Sequence, residues 1–217
     1  MSDLTAIDIL MLPDATMHER AEALNGEMRT SVPEGFALDA NHTPHITLLQ
    51  RYVRTADLDQ VYAAVKGAID GSDPSSLELK GVKVAHMKVA AQPGLGLAGL
   101  VVQPSPGVLD LQSALISAVE PFVESGGTAD AYVTSAEEPE INQDTIDYIE
   151  RYVPAHSGSN YIAHVTVGLA KLDFLADLEA KPFEPFAFHL AGFAVFHLGN
   201  NGTAQRELKK WDLGSEG

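Results

Sequence analysis

Cysteine is absent from this 217-residue sequence, and long apolar runs are absent as well. The first absence excludes disulfides, thiolate nucleophiles and cysteine-ligated metals. No stretch approaches the ~20 consecutive apolar residues that a membrane helix needs, and the N-terminus lacks the basic and apolar regions of a secretory signal. We therefore expect a soluble, cytoplasmic protein with no membrane partner.

Basic residues are scarce. The chain has 14 Lys and Arg against 30 Asp and Glu, which gives a formal net charge of −16. Phosphate backbones are held chiefly by Lys and Arg, so this balance argues against a protein that grips long nucleic acids. A small phosphorylated or nucleotide substrate in a pocket agrees better with the charge. Two basic clusters leave a local basic wall open, although a solvated surface is the simpler interpretation: Arg51 with Arg54, and Arg206 with Lys209 and Lys210.

A short motif occurs twice, as His-Ile-Thr-Leu at residues 45–48 and as His-Val-Thr-Val at residues 164–167. Both copies lie in runs rich in β-branched residues, which predicts buried strands. Successive side chains in a strand point to opposite faces, so each His shares a face with its Thr while the aliphatic residues face a core. Each strand then presents a general acid or base beside a hydroxyl hydrogen-bond donor.

This duplicated motif resembles the signature of the two-histidine (2H) phosphoesterase superfamily, which includes LigT-like 2'-5' RNA ligases and cyclic nucleotide phosphodiesterases. The closing segment at residues 193–213 also resembles the terminal hairpin of that family. The resemblance implies an α+β, bilobal LigT-like fold. Two antiparallel-sheet lobes with outer helices, related by a pseudo-twofold, would face each other across an active-site cleft, with one motif in each lobe.

The motif histidines are 119 residues apart (164 minus 45), which is long for this family. We therefore predict a single domain over residues 1–217, made of two lobes, with an insertion or lid at about residues 125–160. At 45% hydrophobic residues, the composition is ordinary for a globular protein. The resemblance leaves the oligomeric state open, and we expect a monomer.

The predicted element order is strand, helix, motif strand, helix, two strands, helix, insertion, motif strand, helix and two strands. A first strand is expected at residues 6–12, with Asp14 capping the helix that follows. The run at residues 182–198 reads as one long strand that pairs with residues 205–213 around a turn at residues 200–202.

The resemblance implies that His45 and His164 are catalytic and that Thr47 and Thr166 bind the substrate phosphate. Opening a cyclic phosphodiester needs one group to take a proton from the attacking oxygen and another to protonate the leaving oxygen. Imidazole serves both roles near neutral pH, and the threonine hydroxyls would donate to the non-bridging oxygens. This chemistry requires no metal or other cofactor. The sequence leaves open which His is the base.

The expected function is hydrolysis of a 2',3'-cyclic or related nucleotide phosphate. One alternative is a 2'-5' RNA ligase or RNA end-processing enzyme, with an RNA end as its partner. Another is a nucleotide-binding module without catalysis. A metalloenzyme is the third, although His-x-Thr lacks the paired-ligand spacing of motifs such as His-Glu-x-x-His.

Overall fold

Eight strands and five α-helices make up the part of the chain that this computed structural model describes, residues 3–39, 42–77, 79–89, 92–136 and 138–214. The strands are β1 (Leu4–Pro13), β2 (Ile46–Arg54), β3 (Leu79–Lys88), β4 (Leu95–Gln103), β5 (His164–Lys171), β6 (Phe186–Phe188), β7 (Leu190–Leu198) and β8 (Ala204–Asp212). The helices are α1 (Ala15–Ser31), α2 (Leu58–Gly71), α3 (Pro106–Val119), α4 (Gln143–His156) and α5 (Leu172–Glu179).

The strands form two four-stranded sheets in which all neighbouring strands are antiparallel. The first sheet has the order β2-β1-β7-β8, and the second has the order β5-β4-β3-β6. The two motif strands, β2 and β5, each lie at the end of their sheet. The predicted α+β fold with two antiparallel-sheet lobes is confirmed.

The two lobes are interleaved along the chain. The strands β3 and β4 follow β2 in sequence but belong to the sheet of β5, whereas β7 and β8 follow β5 and return to the sheet of β2. Two of the helices likewise pack on a sheet other than the one that contains the strand before them. Helix α1 connects β1 to β2 but packs on β5, and α3 connects β4 to β5 but packs on β2 and α2.

Two buried amide side chains link the lobes through these exchanged helices. Asn25 of α1 donates from Nδ2 to the carbonyl of Val167 in β5 at 2.9 Å and to that of Phe36 at 3.0 Å. Gln112 of α3 donates from Nε2 to the carbonyl of Leu48 in β2 at 3.0 Å. Asn25 thus follows a strand of the first sheet and bonds a motif strand of the second. Gln112 follows a strand of the second sheet and bonds a motif strand of the first.

The core lies on both faces of β1. Ile7, Ile9 and Met11 face the main hydrophobic cluster, while Ala6 and Leu10 contribute to smaller clusters on the opposite face. This alternation is what a central strand needs when both of its faces are covered. The helix after β1 begins as predicted, because Asp14 accepts a hydrogen bond from the backbone of Met17 at 3.3 Å.

Residues 182–198 do not form the single strand predicted from the sequence, so that prediction was wrong. β6 pairs with β3 in the second sheet, and β7 pairs with β1 in the first. The chain changes sheet at His189, whose backbone N–H donates to Asp14 Oδ2 at 2.9 Å and whose carbonyl accepts from the N–H of Asp14 at 2.9 Å. A run of apolar residues gives no signal for such a change of partner.

The segment at residues 125–160 packs on the first sheet through a small cluster that includes Tyr52, Tyr132 and Ile149. The hydroxyl groups of Tyr52 and Tyr132 are hydrogen-bonded to each other. Helix α4 lies against β2, on the face of the sheet that carries Ala6. That this segment is an insertion stays a prediction. No helix among the described residues is long and apolar enough to cross a membrane.

We expect the Gln112→Leu variant to be less stable by about 2–4 kcal/mol, because buried groups that lose a hydrogen-bond partner keep their desolvation cost. Gln112 is 1% exposed and also bonds the backbone of His156 and Gly158. Urea unfolding measures the change. Gln60→Leu on α2 is the matched control, because Gln60 is exposed and its hydrogen bond to Asp57 lies at the surface, and it should stay within about 0.5 kcal/mol of the parent protein. Equal losses in both variants would contradict the prediction.

Candidate active site

The two motif strands lie side by side, although they belong to different sheets. The hydroxyl of Tyr161, three residues before β5, donates to the backbone carbonyl of Thr47 in β2 at 2.9 Å. Gln112 links the same two stretches, since its amide bonds both Leu48 and Gly158. The fold thus brings the two distant copies of the motif to one place between the lobes.

Both copies of the motif contain a β-bulge at the residue that follows the threonine. In β2 the partners of Ile9 and Leu10 are Leu49 and Thr47, so Leu48 is the extra residue. In β5 the partners of Ala98 and Gly99 are Gly168 and Thr166, so the extra residue is the one between them. Bulges bend a strand and redirect its side chains, and they occur often beside active sites. The matching bulges give the two strands the same local geometry.

The two histidines have the same orientation. Nδ1 of His45 lies 2.8 Å from the carbonyl of Thr43, and Nδ1 of His164 lies 2.9 Å from the carbonyl of Ile162. A carbonyl oxygen can only accept, so Nδ1 carries the proton in each ring and Nε2 is the nitrogen left for other partners. Gly99 of β4 leaves room for the His164 ring, because a Cβ at that position would lie 3.3 Å from Cδ2 of the imidazole.

The aliphatic positions of the motif are fully buried, whereas the His and Thr positions are not. Ile46, Leu48, Val165 and Val167 are each 0% exposed. The threonines and His45 are half-buried, and His164 is exposed. The strand alternation expected from the sequence therefore agrees with the burial pattern.

Burial lowers the pKa of His45. The hydrogen bond to the carbonyl of Thr43 acts in the opposite direction, and the positive charge of His164 lowers this pKa further. His45 is therefore neutral at pH 7, since its pKa falls below the ordinary value of 6.5. The two imidazoles are thus close enough for a charge on His164 to disfavour a charge on His45.

A third histidine borders the same region. His156, the last residue of α4, packs against Tyr148 and Tyr152 with ring centroids 4.9 and 5.3 Å apart. Burial lowers its pKa, and the charge of His164 contributes to that shift. No role was assigned to His156 from the sequence.

Asp8 of β1 is a buried acid that the sequence interpretation also missed. It is 0% exposed, and its Oδ2 accepts hydrogen bonds from Thr47 Oγ1 at 3.0 Å and from Gln50 Nε2 at 2.9 Å. Burial raises the pKa of Asp8 to about 7, although both hydrogen bonds act to lower it. The available signal was a single carboxylate in the otherwise apolar run at residues 6–12.

The two motif threonines differ in what their hydroxyls contact. Thr47 donates to Asp8, whereas Thr166 makes no hydrogen bond from its side chain to any residue that the structure describes. A hydroxyl has one proton to donate. The hydroxyl proton of Thr166 is thus free for a ligand, while that of Thr47 is already held by the carboxylate.

Two surface cavities lie away from the motif residues. One of about 330 Å³ lies among α1, β3 and residues 178–186, and one of about 290 Å³ lies along α4 and includes Tyr148 and His156. The motif residues line neither of these cavities. Within the described ranges, no three His, Asp or Glu side chains are grouped so that they could hold a metal ion.

Comparisons with known proteins give structural matches alone, because no protein-family model and no curated protein sequence matches this chain. The crystal structure of TT0787 from Thermus thermophilus is 16% identical, has a TM-score of 0.55, and matches over 98% of this chain and 100% of that chain. E. coli LigT complexed with 3'-AMP is 14% identical, with a TM-score of 0.48 and coverage of 98% and 99%. Usb1 from Kluyveromyces marxianus is 11% identical, with a TM-score of 0.47 and coverage of 97% and 98%.

The chain has the two-lobed LigT-like fold. The match to TT0787 extends over both whole chains, and at this level of identity it establishes shared architecture. The match therefore confirms the predicted two-lobed fold.

We expect the Asp8→Asn variant to be more stable than the parent protein at pH 8, with the difference shrinking toward pH 4. Because the pKa of Asp8 is raised from 3.8 to about 7, the native protein keeps a proton that the unfolded chain has lost between these values. Stability of the parent therefore falls as pH rises through this window, by about 4 kcal/mol at most, and an amide at position 8 removes that dependence.

Urea unfolding of both proteins at several pH values tests this expectation. Asp110→Asn is the matched control, because Asp110 is exposed on α3 and the substitution makes the same change in charge. Parallel stability curves for Asp8→Asn and its parent would show that Asp8 is ionised throughout and would contradict the prediction.

Proposed function

We propose that this protein is a metal-independent phosphodiesterase that opens a 2',3'-cyclic or related nucleotide phosphate with two histidines. His45 and His164 perform the proton transfers, and Thr47 and Thr166 hold the non-bridging oxygens of the phosphate. The observation that carries the proposal is the matched geometry of the two motifs. Both rings have Nδ1 fixed by the carbonyl two residues earlier, and both strands bulge directly after the threonine.

The matched geometry suits an in-line displacement at phosphorus. The attacking and leaving oxygens lie on opposite sides of the phosphorus atom, so the reaction needs two proton-transfer groups that approach from opposite directions. Two similar strands from facing lobes supply such a pair, and the Nε2 atoms are the nitrogens available for transfer. The hydroxyl of Thr166 has no other partner among the described residues and is suited to stabilise charge on a non-bridging oxygen.

The lowered pKa of His45 favours this residue as the general base. Neutral His45 takes the proton of the attacking water as the new P–O bond forms. His164 is then the acid that gives a proton to the 2' or 3' oxygen as the ring P–O bond breaks. Proton exchange with solvent afterwards restores both rings.

The charge of the chain supports a small substrate. Cations near the first motif are paired with acids, since Arg54 lies 2.6 Å from Asp57 and Arg51 lies 3.6 Å from Glu120. At the other basic cluster, Lys210 lies 2.8 Å from Asp212. Pairs of this kind reduce the positive charge that these two clusters offer to a long phosphate backbone.

RNA end processing is the alternative that the same chemistry allows. The reverse reaction joins a hydroxyl to a cyclic phosphate, which is RNA ligation when both ends are RNA. A panel of 2',3'-cyclic, 3',5'-cyclic and 2'-5'-linked nucleotides, together with short RNAs that end in a cyclic phosphate, separates these possibilities. Turnover of the free nucleotides supports the main proposal, and turnover of the RNA ends alone supports the alternative.

We expect His45→Ala and His164→Ala each to lower kcat for a 2',3'-cyclic nucleotide by about 10²–10⁴-fold, the usual contribution of a positioned acid or base. The purified variants are assayed with a chelator present. His189→Ala is the matched control, because His189 is exposed between β6 and β7 and should leave turnover unchanged. If either motif variant keeps the activity of the parent protein, the two-histidine mechanism is wrong.

A further inference from the structure

The carboxyl group of Asp8 lies directly behind one of the two phosphate-binding threonines. Thr47 Oγ1 donates its proton to Asp8 Oδ2 at 3.0 Å, and Asp8 is completely buried. While this bond persists, Thr47 can offer a bound phosphate only oxygen lone pairs, which an anion does not bind. Thr47 can donate to a phosphate only if its hydrogen bond to Asp8 breaks or reverses its direction.

The fold does not require an acid at this position, as the second lobe demonstrates. In the first lobe Asp8 is opposite Gln50, three residues after Thr47. In the second lobe the equivalent pair is Leu97 and Leu169, three residues after Thr166. Strands with the same bulge therefore form with two leucines at these positions. The buried pair of Asp8 and Gln50 is a feature of the first lobe, which the second lobe does not share.

Around Asp8, the buried hydrogen-bond acceptors outnumber the donors that reach them. Asp8 Oδ1 and Gln50 Oε1 are both buried and have no hydrogen-bond partner among the described residues. An ionised carboxylate can only accept, whereas a protonated carboxyl supplies a donor. Addition of a proton to this cluster removes a charge from a buried place and supplies one donor to a group of acceptors.

No cation in the described part of the chain balances Asp8. The described groups whose charge interacts with it are three phenols: Tyr148 and Tyr152 of α4, and Tyr161. Burial raises the pKa of each phenol, so all three are neutral at pH 7. An anionic phosphate at Thr47 would therefore add a second negative charge beside a carboxylate that has no counter-ion.

We propose that Asp8 is a proton-linked positioning residue: when an anionic phosphate binds, the neutral carboxyl donates to Thr47 Oγ1 and frees the Thr47 hydroxyl proton for that phosphate. The inference rests on the proposed function, because it needs a phosphate at the motif threonines. One proton enters from solvent and resides on Asp8 Oδ2, the bond between Asp8 and Thr47 reverses its direction, and Thr47 donates to a non-bridging oxygen. No bond between heavy atoms changes. The second lobe needs no such relay, since the Thr166 hydroxyl has no competing acceptor among the residues that the structure describes.

Proton uptake on binding of sulfate tests the relay. Sulfate resembles a phosphate but has no proton of its own to exchange near neutral pH, so the protein must supply every change. Isothermal titration calorimetry at pH 8, in buffers with different ionisation enthalpies, gives the number of protons taken up. We expect the parent protein to take up more protons per sulfate than Asp8→Asn, by up to about one. Both imidazoles are present in each protein, so their contribution cancels.

Two further variants separate the relay from simpler effects. Asp110→Asn, with the same loss of charge on the exposed face of α3, should match the parent. Thr47→Val removes the hydroxyl between Asp8 and the ligand and should lose the extra uptake, as Asp8→Asn does. Retention of the extra uptake in Thr47→Val would mean that Asp8 acts by repulsion alone, and equal uptake in Asp8→Asn and the parent would mean a structural role. Either result overturns the proposal.

An infrared measurement on the parent protein covers the case in which Asp8→Asn fails to fold. With ¹³C-labelled aspartate, addition of sulfate at pH 8 should produce the C=O band of a protonated carboxylic acid, and absence of this band overturns the relay. Turnover is judged separately. A parent protein that takes up the extra proton with sulfate but cleaves no phosphodiester supports the relay and overturns the proposed function. A parent protein that cleaves the phosphodiester without taking up the extra proton supports the proposed function and overturns the relay.

Discussion

The contact between β2 and β5 is the constraint on which the rest of the structure depends. Each strand lies at the end of its own sheet, and the two are held together by side chains that cross from one lobe to the other. Tyr161 and Gln112 both donate to backbone carbonyls of β2, and Asn25 donates to a carbonyl of β5. Because these bonds are buried, separation of the strands would leave polar groups unsatisfied, and this cost fixes the position of the two motifs.

The sequence predicted the local features of this arrangement well. The His-x-Thr repeats indicated two strands with aliphatic residues toward the core, and Ile46 and Val165 are fully buried as expected. Asp14 caps the first helix, and the turn at residues 200–202 connects two paired strands. These features depend on neighbouring residues, which periodicity and turn composition report directly. The catalytic roles assigned to His45 and His164 remain predictions.

The features that the sequence did not reveal depend on distant partners. The run at residues 182–198 divides between two sheets because of a backbone exchange with Asp14, and no local pattern records that exchange. No local pattern distinguishes Gln112 from other polar residues on a helix, yet it is buried between the lobes. Asp8 was visible as a lone acid among apolar residues, but its bond to Thr47 crosses 39 positions. Long-range hydrogen bonds of this kind become apparent only when the fold is known.

The interleaved course of the chain has a consequence for how the protein is assembled. The four strands of the second sheet lie in one continuous stretch, residues 79–188, whereas the first sheet combines β1 and β2 with β7 and β8 from much later in the chain. The first sheet therefore cannot be finished during synthesis before β7 and β8 emerge, and contacts between distant parts of a chain form slowly. The strand that carries His45 therefore waits for the last two strands to complete its sheet, whereas the sheet that carries His164 can form before they emerge.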